Sequence, residues 1–158
     1  MNDYRPLTSE EIEVLKQNNC WAEDWTSVNV GENFKPNFMH RVMLYGEVNI
    51  GGFDKNVEVS QGFVKHSGIN NATLRNVTIG DDCLIENIGN FINNYTIGDD
   101  CYISNISTLE TTEGATYGEG NLVSVLNEVG EGNVILFSDL NSQLAAFMVK
   151  HFSDKELK

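Results

Sequence analysis

The sequence predicts a mainly β protein, a parallel β-helix built from six-residue repeats, and two observations carry this prediction. One ten-residue pattern occurs twice, as NVTIGDDCLI at residues 76–85 and as NYTIGDDCYI at residues 94–103, and the two copies start 18 residues apart. Large apolar residues also recur at every sixth position, at Ile79, Ile85, Phe91, Ile97, Ile103 and Leu109. Six-residue faces that fold three to a coil are the signature of a parallel β-helix, so the offset corresponds to one coil.

Residues 1–57 are predicted to form a helical cap followed by lead-in strands. Thr8 and Glu11 fit a capping box ahead of an apolar stripe, which predicts a short helix. The end of a solenoid exposes core and unpaired strand edges unless something covers it. We therefore expect this helix to cover the open end together with two nearby tryptophans, Trp21 and Trp25.

Residues 58–137 are predicted to be the β-helix itself, with about four to five coils. The 18-residue alignment extends back to Glu58, which predicts that Gly62, Gly80 and Gly98 stack at one corner. The repeat positions of this first coil are filled by polar residues, Gln61, Ser67 and Thr73. Irregular coils carry loops and sites more often than regular ones, so function is expected here.

Residues 138–158 change from the six-residue period to a helical one. Their apolar residues follow i, i+4, i+7, i+8 spacing behind a cap at Ser138 or Asp139, which predicts an amphipathic α-helix. These apolar residues are Leu140, Leu144, Phe147, Met148 and Phe152. The stripe is expected to pack on the β-helix wall or on a neighbouring subunit, and all three segments are expected to form one structural domain.

Asparagines are predicted to occupy the corners between strands. Four of them head Asn-x-Ser/Thr sequences, at Asn71, Asn76, Asn94 and Asn105. Asparagine tolerates the left-handed backbone that a tight corner requires, and a β-branched residue suits the strand that follows. We therefore interpret these sequences as corners rather than as glycosylation sites.

Cys83 and Cys101 occupy equivalent repeat positions one coil apart. Inward-pointing residues in that relation stack about 4.8 Å apart, the spacing between strands. The favoured interpretation is a pair of small buried residues in a reducing compartment. A disulfide is the alternative, because the distance allows it if the parallel side chains turn toward each other.

The composition excludes several classes of partner. A net charge of -13 argues against nucleic acid and anionic membranes, since both attract basic surfaces. No apolar run approaches the roughly 20 residues of a membrane span. The N-terminal residues lack the basic-then-apolar order of a signal peptide. A cytoplasmic protein is expected.

The doubled IGDDC hexads resemble the left-handed parallel β-helix, or hexapeptide-repeat, superfamily, and the expected left-handedness follows from that resemblance. The match is strong over residues 76–109 and looser over residues 58–137. It implies a homotrimer and a transferase-like activity, in which an acyl group passes from coenzyme A or acyl carrier protein to a small acceptor such as a sugar. Zinc enzymes of the carbonic anhydrase kind also belong to this superfamily.

A narrower resemblance extends to an uncharacterised bacterial family of unknown function. The segments that carry it are YRPLTSEEI at 4–12, KHSGI at 65–69, IENIGN at 85–90 and VLNE at 125–128. Members of that family are often much longer, so this chain is expected to be either a short member or one portion of a longer protein.

His66 is the first candidate catalytic residue. The 18-residue alignment places it beside Leu84 and Tyr102, at a position that points outward from the wall. In a trimer such residues line the cleft between subunits, where a neutral histidine could act as general base toward a hydroxyl or amine. The alternative is an ordinary surface or interface histidine.

Glu128 is a weaker catalytic candidate, which could orient a histidine or bind a sugar amine. It lies about three coils from His66 along the chain, so only a neighbouring subunit or an inserted loop would bring the two together. The alternative is a solvated corner carboxylate.

Four aspartates, Asp81, Asp82, Asp99 and Asp100, stack like charges at one corner. The favoured interpretation is that water screens them, and a weak calcium site is the alternative. A zinc centre is disfavoured, because it needs several ligands and only one of the three histidines, His66, lies within the clear coils.

Two functions from different classes are open, and the first is what the resemblance to the hexapeptide-repeat superfamily implies. The first is a transferase-like protein that passes an acyl group from coenzyme A to a sugar or other small acceptor. The second is a non-catalytic β-helical module for binding or oligomerisation.

Overall fold

The structure, a computed structural model, describes residues 4–112, 114–116, 118–123 and 133–151. The chain divides into two compact units, Met1–Thr112 and Glu113–Lys158. The fold is mainly β, as the sequence predicts.

The first unit begins with a short strand, β1 (Arg5–Pro6), and the predicted helix, α1 (Ser9–Gln17). The capping box is confirmed, because the Glu11 amide donates to Thr8 Oγ1 at 3.2 Å and the Thr8 amide donates to Glu11 Oε2 at 2.8 Å. Leu15 is buried and joins the core.

The prediction that both tryptophans cover the end of the stack is wrong for Trp21. Trp25 packs against the core. Trp21 is 49% exposed and its ring lies 5.3 Å from that of Tyr45. The physical reason is that Trp21 lies in a strand next to inward-pointing Ala22, so its own side chain points outward.

Ten further strands follow in the first unit, with 3₁₀ turns at Trp25–Ser27 and Pro36–Phe38. The strands are β2 (Trp21–Ala22), β3 (Val28–Val30), β4 (Met39–Ile50), β5 (Asn56–Ser60), β6 (Phe63–His66), β7 (Gly68–Ile79), β8 (Leu84–Glu86), β9 (Phe91–Ile97), β10 (Tyr102–Ser104) and β11 (Thr108–Glu110).

Most of these strands stack in parallel on the strand one repeat away. Ile85 lies beside Ile103, and Thr78 lies beside Thr96, so the 18-residue offset is the distance between stacked partners. This pairing forms three ladders. The first contains the start of β4 and of β7 with β8 and β10; the second contains β2, the middle of β4 and of β7, the start of β9, and β11; the third contains β3 and the ends of β4, β7 and β9.

The core lies between the ladders and consists of aliphatic residues stacked on their equivalents. In the third ladder Ile50, Ile79 and Ile97 are all buried and adjacent. Burying each such side chain contributes roughly 1.5–3 kcal/mol. The repeat is therefore held together chiefly by its inward rows.

The predicted corner role of the asparagines is confirmed by their backbone. Asn71, Asn76, Asn94 and Asn105 all have φ between 48° and 55°. Their amides also bond along the stack, as where Asn76 Nδ2 donates to Asn94 Oδ1 at 3.2 Å. The sequences that could be mistaken for glycosylation sites are thus explained by corner geometry.

Cys83 is fully buried, Cys101 is half-buried, and both are free thiols. The Cys101 carbonyl accepts from the Leu84 amide at 2.9 Å, so the two cysteines lie on adjacent coils as predicted. Burial raises the pKa of the Cys83 thiol to about 12. The interpretation as small buried residues is confirmed for Cys83.

The alignment of residues 58–62 with the regular coils is wrong. Strands β5 and β6 form an antiparallel hairpin instead, and Gly62 lies in its turn with φ 75°. The residue that stacks on Gly80 is Gly51, whose amide donates to the Ile79 carbonyl at 2.8 Å. The hairpin is an insertion between two coils, so β4 and β7 pair at an offset of 29 residues where Ile50 meets Ile79.

The predicted six-residue repeat of inward apolar residues is also wrong at one position. Ile92, not Phe91, is fully buried, and it pairs with Leu74. The corner that follows Ile85 contains one residue more than the six-residue count allows, which turns Phe91 outward. This displacement helps form the groove described below.

The second unit contains an antiparallel pair, β12 (Leu122–Val123) and β13 (Val134–Ile135), and the helix α2 (Ser142–Lys150). The predicted C-terminal helix is present, but its cap is Asn141, whose Oδ1 accepts from the Leu144 amide at 2.9 Å. Phe152 lies outside the described residues.

Candidate functional site

His66 is the last residue of β6, at the base of the hairpin. Its ring stacks on Phe38, with centroids 3.8 Å apart and planes 9° from parallel. Its Nδ1 lies 2.9 Å from the Ser67 carbonyl oxygen, which can only accept a hydrogen bond. In the neutral ring Nδ1 is therefore the donor, and Nε2 carries the lone pair.

The predicted alignment of His66 with Leu84 and Tyr102 is wrong. The residue beside Leu84 in the first ladder is Gly68, and Leu84 in turn pairs with Tyr102. A Cβ on Gly68 would lie 2.5 Å from the Phe38 carbonyl oxygen, so only glycine lets the Phe38 segment pass this close. His66 thus lies against Phe38 rather than on a strand of the ladder.

The residues on either side of His66, Lys65 and Ser67, differ in their contacts. Lys65 forms an ion pair with Glu86, whose side chain is 11% exposed and also accepts from the Tyr102 hydroxyl at 3.3 Å. Ser67 is fully buried, and its hydroxyl has no hydrogen-bond partner among the residues that the structure describes. The base of the hairpin therefore combines a stacked histidine, a partly buried ion pair and a buried unsatisfied hydroxyl.

Glu128, the second predicted catalytic residue, lies outside the described residues. Its relation to His66 stays a prediction.

The four stacked aspartates hold the corners together. Asp81 Oδ1 accepts from the Gly52 amide at 2.7 Å, and Asp99 Oδ1 accepts from the Asp81 amide at 2.8 Å. Asp81 and Asp99 thus each receive a backbone donor from the preceding repeat. This role satisfies corner amides that would otherwise lack a partner.

Asp82 and Asp100 occupy the left-handed corner positions, with φ 57° and 55°, and share a lysine. Lys55 Nζ lies 3.1 Å from both carboxylates. Burial alone would raise the pKa of Asp82, but the amides of Asp54 and Lys55 and the Lys55 ammonium outweigh it and lower that pKa. Lys55 therefore places a positive charge between these two carboxylates, and the calcium alternative stays a prediction. The described part of the chain shows no group of three or more side chains suited to a metal ion.

A groove on the second ladder was missed by sequence reasoning. Its volume is about 490 Å³. The lining residues are Glu23, Tyr45, Thr73, Arg75, Phe91, Asn93 and Glu110. They combine two aromatic rings, two carboxylates, one guanidinium, one amide and the two hydroxyls of Tyr45 and Thr73.

The groove follows one outward row of stacked residues. Tyr45 pairs with Arg75, Arg75 with Asn93, and Asn93 with Glu110. The neighbouring inward row, which includes Leu74, is buried in the core. The floor is therefore a rigid surface of paired strands, and successive side chains in the row stand about 4.8 Å apart.

Asn93 is the most constrained residue of the groove. It is only 7% exposed, and its Nδ2 donates to Glu110 Oε1 at 2.6 Å. Its Oδ1 is buried and has no hydrogen-bond partner within the described ranges. A buried acceptor left in this state costs about 1–3 kcal/mol. The sequence signal for this site was the 18-residue relation between Arg75 and Asn93, two polar residues beside core positions.

Comparison with known proteins identifies a family without an assigned activity. Residues 4–158 match a family described as a domain of unknown function (DUF4954). An uncharacterized protein of Treponema pallidum (strain Nichols) is 28% identical over 145 residues, which cover 85% of this chain and 20% of the relative. The chain therefore spans about a fifth of the length of that relative.

No solved structure matches this chain significantly. In the ranges that the structure describes, the helices are too short to cross a membrane. The family match spans nearly all of the sequence and agrees with the resemblance carried by residues 4–12, 65–69, 85–90 and 125–128. This chain belongs to the DUF4954 family.

Proposed function

We propose that the stack of parallel strands is a left-handed parallel β-helix of the hexapeptide-repeat kind. Support comes from the 18-residue offset between paired strands and from the left-handed corner residues, such as Asn76 and Asn94, that recur at the same interval. The left-handedness itself rests on the resemblance of the IGDDC hexads.

On this fold we propose a transferase-like function, with His66 as general base. The observation that carries the proposal is the fixed ring of His66: the Phe38 stack sets its plane, and the Ser67 carbonyl holds the proton on Nδ1. Nε2 is then the basic nitrogen. A histidine held in one tautomer and one orientation is prepared for proton transfer.

The proposed reaction moves an acyl group from the sulfur of acyl-coenzyme A to the hydroxyl or amine of a small acceptor such as a sugar. Nε2 takes the acceptor proton as the new carbon–oxygen or carbon–nitrogen bond forms. The carbon–sulfur bond then breaks, and the leaving thiolate takes up the proton. Coenzyme A would bind in a cleft between subunits of a homotrimer, which the superfamily resemblance implies.

The second candidate is a non-catalytic module for binding or oligomerisation. The observation that favours it is the hairpin, which exposes two apolar side chains, Phe63 at 57% and Val64 at 54%, as a contact surface would. In this case His66 would serve only to seat the hairpin on Phe38.

Coenzyme A binding and acyl transfer distinguish the two candidates. The parent protein, His66→Ala and His66→Gln are titrated with coenzyme A and assayed with acetyl-coenzyme A and an amino-sugar panel. His40→Gln is the matched control, because His40 is an exposed histidine near the first ladder whose Nε2 lies 2.9 Å from the Asn37 carbonyl oxygen.

The transferase proposal expects turnover by the parent and by His40→Gln, and a loss of about 10²-fold or more in both His66 variants. A parent protein that neither binds coenzyme A nor transfers the acyl group would refute it. Light scattering tests the homotrimer separately, since a monomer at all micromolar concentrations would exclude a cleft between subunits.

A further inference from the structure

We propose that the groove on the second ladder is a binding site for a neutral polyhydroxylated ligand, a sugar of one or two rings. The groove is distinct from the His66 site, which lies by the first ladder, and this inference does not depend on the transferase proposal.

The size and build of the groove suit a small molecule. A volume of about 490 Å³ lies within the roughly 300–1,000 Å³ of small-molecule sites. Such sites combine apolar or aromatic walls with a few polar groups that set orientation. Here Tyr45 and Phe91 supply the aromatic surface, and both are half-buried in the strands that form the floor. The site is therefore largely formed before any ligand binds.

Asn93 indicates what the ligand must offer. Its Nδ2 is committed to Glu110, and its buried Oδ1 lacks a donor in the described part of the chain. Asn93 lines the groove, so a ligand group that donates a hydrogen bond would satisfy this acceptor once the amide turns toward it, whereas a purely apolar ligand would leave it unsatisfied. The ligand therefore carries a hydroxyl or an N–H at this point.

The charges of the groove favour a neutral ligand over an anion. Glu23 and Glu110 are acceptors, and Arg75, which forms no ion pair with described residues, is a donor. A phosphate or carboxylate would meet two like charges and one opposite charge, within a protein of net charge -13. A sugar carries several hydroxyls that each donate and accept, so together they can serve the carboxylates, Asn93 and Arg75.

Two substitutions test the site, and one serves as a matched control. Asn93→Leu removes the unsatisfied acceptor while keeping the number and branching of the side-chain heavy atoms, so it should fold as well as the parent. Phe91→Leu reduces the aromatic surface at a half-buried position. Phe63→Leu makes the same change in the hairpin, away from the groove.

The full chain and these variants are titrated with glucose, galactose, N-acetylglucosamine and cellobiose by calorimetry and by saturation-transfer NMR. Inorganic phosphate is the anionic comparison, and thermal melts confirm folding. We expect the parent to bind at least one sugar, and both groove variants to weaken that affinity about tenfold or more, equivalent to at least about 1.4 kcal/mol. Phe63→Leu should leave the affinity unchanged.

Three outcomes would overturn the proposal. One is a parent protein that binds none of the four sugars at about 10 mM, a concentration that detects even millimolar affinity. Another is sugar binding that Asn93→Leu and Phe91→Leu both leave intact. The third is tighter binding of phosphate than of any sugar, which would show that Arg75 rather than the neutral polar groups dominates the site.

Discussion

Replacing Asp82 with alanine should destabilise the first unit far more than the same change at Asp100, although both residues occupy equivalent corners. Asp82 Oδ1 accepts from the amides of Asp54 and Lys55 at 2.7 and 2.9 Å, and its side chain is 9% exposed. Asp100 is 65% exposed, and its carboxylate contacts the Lys55 ammonium at 3.1 Å. The two corners therefore differ in backbone hydrogen bonding and in burial.

The expected magnitudes follow from these contacts. Asp82→Ala leaves two partly buried amides without their acceptor, at about 1–3 kcal/mol each, so the free energy of unfolding should fall by about 2–6 kcal/mol. Alanine in a left-handed corner adds about 1 kcal/mol to both alanine variants. Asp100→Ala otherwise loses only an exposed ion pair, worth about 0–1 kcal/mol. Asp82→Asn keeps an acceptor oxygen and a residue that tolerates the corner, so it should cost about 1 kcal/mol.

The pH dependence has a definite sign. The folded pKa of Asp82 is lowered from its ordinary value of 3.8, so the unfolded chain binds this proton more readily. The contribution of Asp82 is therefore complete above about pH 4 and is lost as the pH falls through the lower folded pKa. Asp82→Asn should remove this part of the acid sensitivity.

Urea denaturation, monitored by circular dichroism between pH 3 and pH 7, measures the free energy of unfolding of the full-length parent and of the three variants. Equal losses for Asp82→Ala and Asp100→Ala would show that the backbone hydrogen bonds do not stabilise the corner. A loss for Asp82→Asn as large as that for Asp82→Ala would show that charge, not the acceptor oxygen, is what matters.

Two further predictions concern the glycine stack and the cysteines. A Cβ on Gly51 would lie 2.5 Å from the Gly80 carbonyl carbon, so Gly51→Ala should lower the melting temperature. A Cβ on Gly98 meets nothing within 4 Å, so Gly98→Ala should leave the melting temperature unchanged or raise it, with a gain in stability of up to about 0.4–1 kcal/mol. Equal effects in thermal melts would contradict this assignment of the stack. Because burial raises the pKa of Cys83 to about 12, iodoacetamide at pH 8 should modify half-buried Cys101 well before Cys83 in the folded protein, as read by peptide mass spectrometry. Faster modification of Cys83 would mean that the coil opens.

The candidate sites show where sequence reasoning succeeds and where it stops. His66 was singled out because polar residues interrupt the repeat around it, and the structure places it at an irregular feature, the hairpin. Its partner Phe38 could not be foreseen, because the two are far apart in sequence and meet only through the insertion. The groove was missed because Phe91 was assigned to the core on a strict six-residue count.

What the sequence determines by itself is the repeat. An apolar residue in each strand and a residue tolerant of positive φ at each corner dictate parallel pairing at 18 residues, since any other register would bury polar side chains or strain the corners. Asn76 and Asn94, and Ile79 and Ile97, therefore read directly as stacked pairs.

Only the tertiary structure decides what departs from the repeat. The hairpin at residues 56–66 has no periodic signal, because its strands pair with each other rather than with the next coil. The outward row of the groove carries no apolar periodicity, since solvent imposes no such pattern on it. Whether Asn93 is buried with one atom unsatisfied depends on Arg75 and Glu110, which stacking brings beside it from other coils.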